Sequence, residues 1–98
     1  MYWYAVGMRD ARFEWDDAKA AANRAKHGVT FDQARRVFDD PLALELVTHV
    51  EGEERSITIG MAGRDLLIVV VSADRLGRIR IISARRATRL ERQRYEDG

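Results

Sequence analysis

The feature that most constrains the fold is a change of hydrophobic period at Pro41, the only proline in the 98-residue chain. Before it, apolar residues recur at helical spacing; after it, they alternate as in strands. Proline disfavours helical geometry in the residue before it, so Asp39-Asp40-Pro41 closes a helical segment and opens a sheet. Upstream, Asp16 or Asp17 can cap a helix running to about His27, and Gly28 is the expected left-handed stop. Ala18, Ala21, Ala22 and Ala25 form a narrow small-residue stripe expected to pack on the sheet, with Lys19, Asn23 and His27 on the opposite face. Thr30 and Gln33 make a capping box for a second helix, whose buried face is Phe31, Ala34, Val37 and Phe38.

Downstream, Leu44, Leu46 and Thr48 alternate, Glu51-Gly52-Glu53 turns, and Arg55, Ile57 and Ile59 alternate with Ser56 and Thr58. Leu66 to Ser72 is a nearly continuous apolar run that reads as a central strand. Asp74 to Gly77 is a turn, Arg78 to Ile82 is the last strand, and Thr88 with Glu91 opens a terminal helix through Tyr95. Phe13-Glu14-Trp15 is a lead-in strand, and Trp15 is expected in the core. The expected architecture is therefore an α/β (α+β) domain over residues 13–98, with two N-terminal helices, a four-stranded antiparallel sheet and a C-terminal helix. Residues 1–12 read as an extension, within which Met8 is an alternative start and Tyr2, Trp3 and Tyr4 carry no assigned role.

Composition then removes several chemistries. The chain has no cysteine, which excludes thiol nucleophiles, thiolate zinc sites and disulfides. Its longest apolar run, Leu66 to Val71, is far short of the ~20 residues that span a bilayer, and the first residues do not resemble a signal peptide, so a cytoplasmic protein is expected. The net charge of +1 hides an asymmetry: eight arginines face three acids from Arg75 onward, while the first 74 residues carry an excess of acids. Of the seventeen bases only Lys19 and Lys26 are lysines, and the planar guanidinium fork suits phosphate and carboxylate partners.

Two constellations carry candidate chemistry. Lys19, Asn23 and His27 follow at successive i, i+4 spacing with Lys26 adjacent, offering cations and an imidazole, the side chain suited to proton exchange near neutrality. The alternative is a helix-terminal histidine that only favours the dipole. Arg78 and Arg80 fall on one face of the last strand, with Ile79 and Ile81 on the core face, and Arg85, Arg86, Arg89 and Arg92 follow. Two cations on one strand face call for an anion, and phosphate is the obvious one; pairing with Glu91, Glu45, Glu53 or Glu54 is the alternative. Tyr95, near the end of an arginine-rich helix, is the best candidate to stack a base. The acids Asp16/Asp17 and Asp39/Asp40 sit where caps and turns want them, and His27 and His49 lack ligand spacing, so no metal and no cofactor are expected.

The residues Phe13-Glu14-Trp15-Asp16, Lys19, Asn23, Lys26-His27-Gly28, Phe31, Ala34, Val37-Phe38 and Asp40-Pro41-Leu42 resemble the BrnT family of type II toxins. Arg55, Gly60, the segment Arg80 to Thr88, Glu91 and Tyr95 are similar to that family's second half, so the resemblance covers residues 13–97. It implies a RelE-like fold and a metal-independent endoribonuclease that halts translation. It also implies a BrnA-like ribbon-helix-helix antitoxin, a two-plus-two assembly, and DNA contact only through that antitoxin. Lys26, His27, Arg80, Arg85 and Tyr95 are then the expected catalytic set, and Arg55, Arg78, Arg86 and Lys19 the expected RNA contacts. The other readings of the same residues are a noncatalytic RNA-binding module and a protein-interaction domain with a basic surface.

Overall fold

A computed structural model describes residues 11–98, so the extension expected over residues 1–12 lies almost wholly outside the described residues. Strand β1 (Phe13–Glu14) leads into helix α1 (Asp17–His27) and helix α2 (Phe31–Arg36), which ends in a 3-10 turn (Val37–Asp39). Strands β2 (Leu44–Val50), β3 (Glu53–Met61), β4 (Leu67–Arg75) and β5 (Arg78–Arg86) follow, and helix α3 (Arg89–Asp97) completes the chain.

The helices start where side chains satisfy their free amides. Asp16 accepts from the N–H groups of Ala18 and Lys19, and these bonds draw its carboxyl below the ordinary range. Thr30 with Gln33 and Thr88 with Glu91 form two reciprocal capping boxes. The hairpins are tight for a local reason as well: Glu51-Gly52 and Leu76-Gly77 both take positive φ at each position, the two-residue turn whose twist matches that of its flanking strands.

The sheet is five-stranded rather than four-stranded, in the order β1-β5-β4-β3-β2. The extra strand is the lead-in: Phe13 lies beside Ile79 and Glu14 beside Arg80 in parallel register, while all other pairs are antiparallel. One sheet face is covered by α1, α2 and the 3-10 turn, and the core lies there, with Phe13, Trp15, Val29, Phe31, Val37, Ile68, Val70, Ile81 and Ala84 buried. Trp15 meets Phe31 edge-on at 5.8 Å. The approach is close at Gly60, where a Cβ would stand 2.7 Å from the Val37 methyl, so β3 can pass beneath the 3-10 turn only with glycine there. Among the described residues no helix is long and apolar enough to cross a membrane. The opposite sheet face is left for solvent and for α3, which packs against β3.

Candidate functional site

Strand β5 determines what the open face carries, and its register contains an irregularity. Ser72 pairs with Ile81 but Val71 pairs with Ser83, which leaves Ile82 as an extra residue on β5. Side chains alternate along a strand, so Arg80 and Arg85 would otherwise point to opposite faces. The bulge restores them to the same one: Arg80 stands opposite Ala73 and Arg85 opposite Val69, two residues of equal parity on β4.

Four cations surround one end of this face. Lys19 from α1, Arg55 from β3, Arg75 from β4 and Arg80 from β5 line a concavity of about 380 Å³ together with Glu53, Ala73, Asp74 and Ile82. Lys19, Arg55 and Arg80 were expected from sequence; Arg75 was not. Two of the guanidinium groups are held by carboxylates. The Arg55 Nε donates to Glu53 at 3.0 Å, and an Arg80 terminal nitrogen donates to Glu14 at 3.1 Å. The Arg75 Nε lies 3.9 Å from the same Glu14 oxygen.

Lys26 and His27 line an adjoining hollow of about 260 Å³ with Lys19, Asn23, Ile82 and Ser83. Lys19 and Ile82 border both spaces, so the imidazole corner and the four-cation concavity form one continuous strip. This continuity reverses the expected orientation of α1. Ala18, Ala21, Ala22 and Ala25 face solvent, and Asn23 is the helix's buried residue, 8% exposed. Its amide donates to the carbonyls of Ala84 (2.7 Å) and Val29 (3.1 Å) and accepts from the Ala84 N–H (3.1 Å), so the side chain completes the backbone pairing of β5 next to the bulge. Alanine side chains offer little apolar area, and the three-bond amide anchor outweighs them.

The remaining expected residues are not gathered there. Arg85 makes a two-pronged pair with Glu91, both N···O distances 2.8 Å, and Glu91 at the same time accepts from the Thr88 N–H. The Arg85 bond, with help from the Thr88 amide and against partial burial, holds the Glu91 carboxyl at about 2 and raises Arg85 further above its ordinary value. This pair borders a third groove, about 480 Å³ and largely aliphatic, formed with Leu44, Leu46, Ile57, Ile59, Leu90 and Arg94. Tyr95 departs from its expected role more strongly: its hydroxyl donates to Asp40 at 2.6 Å, where Asp40 also receives the N–H groups of Met61 and Leu42. Burial opposes the Asp40 charge, but the three donors outweigh it and lower its pKa, while Tyr95 is raised by the same bond. Tyr95 thus ties α3 to the turn before β2. Arg86 is exposed and pairs in register with Ile68, a core-face position, so it points away from Arg85's side. Arg78 stands opposite Arg75, on the same face as Arg80 but outside the concavity.

Sequence reasoning also missed Glu14, whose signal is non-local, because the residue becomes significant only when β1 joins β5. Among the described residues no group of three or more His, Asp or Glu side chains is arranged to hold a metal ion.

Comparison with known proteins agrees with this architecture. A family model described as the ribonuclease toxin, BrnT, of type II toxin-antitoxin systems matches residues 15–91. The 1.1 Å crystal structure of the Brucella abortus ribonuclease toxin BrnT is similar to this chain with a TM-score of 0.60 and 24% sequence identity, covering 79% of this chain and 96% of that one. At that identity the likeness establishes the fold. No curated protein sequence matches the chain.

Proposed function

The chain belongs to the BrnT family of ribonuclease toxins of type II toxin-antitoxin systems, and on that premise we propose that its basic sheet face cuts RNA without a metal ion and so inhibits translation in the cytoplasm. The observation that carries this reading is the continuous strip in which Lys19, Arg55, Arg75 and Arg80 adjoin Lys26 and His27.

RNA supplies its own nucleophile, the 2′-hydroxyl beside the scissile phosphate, so attack is intramolecular and orientation does much of the work. Arg80, Arg55 and Lys19, with Arg75, bind the phosphate oxygens and stabilise the charge that grows on them. The 2′-oxygen forms a bond to phosphorus and the bond to the 5′-oxygen breaks. His27 takes the 2′-hydroxyl proton and Lys26 protonates the departing oxygen, leaving a 2′,3′-cyclic phosphate and a 5′-hydroxyl. Arg78 extends the cationic track for neighbouring phosphates. Arg85 and Tyr95, committed to Glu91 and Asp40, hold α3 in place. A BrnA-like ribbon-helix-helix antitoxin in a two-plus-two assembly neutralises the protein by laying an acidic segment over the same face.

The test is incubation of the purified protein with RNA, and with DNA of the same sequence, in excess EDTA. Cleavage of RNA alone, with cyclic phosphate ends, is expected. Loss of all cutting on chelation contradicts the metal-free mechanism, and salt-sensitive RNA binding without turnover favours a binding module instead.

A further inference from the structure

The carboxylate of Glu14 stands behind the cationic concavity rather than in it. Phe13 is fully buried in the core, so alternation sends the next side chain to the open sheet face, beside Arg80 in parallel register. There Glu14 is 8% exposed, bonded to Arg80 at 3.1 Å and 3.9 Å from the Arg75 Nε. Arg75 and Arg80 are the common wall between the four-cation concavity and a neighbouring hollow that Glu14 lines with Trp15 and Asp16. The acid therefore touches the rear of two guanidinium groups whose other side borders the proposed RNA site. A buried carboxylate is costly unless paired, so a pair placed here needs a reason beyond stability. A guanidinium carries five N–H donors in one plane, and engaging one edge on Glu14 fixes the plane and leaves the remaining donors aimed forward.

We propose that Glu14 is a positioning residue for RNA cleavage: its buried carboxylate aims the Arg80 guanidinium, and secondarily Arg75, at the scissile phosphate. This inference depends on the ribonuclease reading. It makes a prediction of unusual sign. Removing the acid leaves the concavity more positive, so RNA binds as well or better in the ground state, while the donor that must meet the developing charge loses its alignment.

The experiment is steady-state cleavage of an RNA oligonucleotide by the full chain, comparing wild type, Glu14→Gln, Arg80→Gln and the double variant, with thermal melting of each. Gln keeps the shape and an acceptor oxygen but removes the charge. The expected result is a fall in kcat of about 10- to 100-fold for Glu14→Gln with KM unchanged or lower, and under about twofold further loss when the change is made in the Arg80→Gln background. Wild-type kcat in Glu14→Gln overturns the inference, as does an equal loss in both backgrounds. If Glu14→Gln alone melts below the assay temperature, the comparison of Arg80→Gln with the double variant, which buries no lone carboxylate at this site, decides: equal rates are expected, and a further loss overturns it. Absence of cleavage by the wild type fails the ribonuclease reading itself and takes this inference with it, an outcome distinct from a cutting wild type with an unaffected Glu14→Gln.

Discussion

Replacing Asn23 by Asp changes one atom of the anchor that holds α1 against β5. The acceptor bond from the Ala84 N–H survives, but both donor bonds, 2.7 Å to the Ala84 carbonyl and 3.1 Å to that of Val29, are lost, and an ionised oxygen then faces two carbonyl oxygens. Each stranded buried acceptor costs about 1–3 kcal/mol, and charge repulsion adds to this, so a loss of about 4 kcal/mol is expected near neutral pH. Against a total of about 5–10 kcal/mol for a domain of this size that is severe, and it lowers Tm by on the order of 20 °C. The sign with pH follows from linkage. Protonation gives the new carboxyl a donor again, so its pKa in the folded protein lies above the unfolded value, and the penalty is present above that raised pKa and shrinks as pH falls through it. Thermal melting by circular dichroism at about pH 7.5 and about pH 5, with wild type measured alongside, reads both effects. A variant melting within about 5 °C of wild type near neutral pH, or a penalty that grows on acidification, refutes the anchor.

Tyr95→Phe removes one bond to Asp40, which retains the Met61 and Leu42 amides, so a loss of about 1 kcal/mol with RNA cleavage intact is expected; a tenfold loss of cleavage at unchanged melting would put the hydroxyl on RNA instead. Glu91, held at about 2 in the folded chain, stabilises above its ordinary pKa and loses that contribution as pH falls from about 4.5 through about 2. Arg85 is 43% exposed, so solvent screening reduces the effect to about 1–2 kcal/mol, read as the gap in urea midpoint between wild type and Glu91→Gln; a gap that widens in acid contradicts the pairing. Arg80→Ala leaves the Glu14 carboxylate buried with only Arg75 nearby, so it is expected to destabilise by roughly 3 kcal/mol as well as to slow cutting by about 100-fold, checked by melting beside the cleavage assay; unchanged stability would show that Glu14 does not depend on Arg80.

What was legible in the sequence was whatever is decided within a few residues. The caps at Asp16, Thr30 and Thr88 and the stop at Gly28 need only local hydrogen bonds, and each is found in its expected place. The alternation of β3 and the apolar run of β4 follow from burial on a sheet. The face of α1 was misread because four alanines make a weak stripe, while the anchor of Asn23 lies 61 residues away at Ala84. Glu14 and Arg75 went unnoticed for the same reason: their meaning depends on a two-residue parallel pairing that no local pattern announces. The bulge left one trace, the adjacent Ile81 and Ile82, which breaks alternation at the point where the register slips. For Arg85 the sequence leaves two partners open, a phosphate or Glu91, and the structure takes the second: a carboxylate has enough lone pairs to serve both the Thr88 cap and the guanidinium.

The central claim is that the basic strip cuts RNA through the substrate's own hydroxyl. Its most direct test is single-turnover cleavage, in EDTA, of an oligonucleotide whose cut site has been mapped, against the same strand with hydrogen replacing the one 2′-hydroxyl at that site. Binding without cleavage at the altered linkage is predicted. Cleavage continuing there at the original rate contradicts the mechanism.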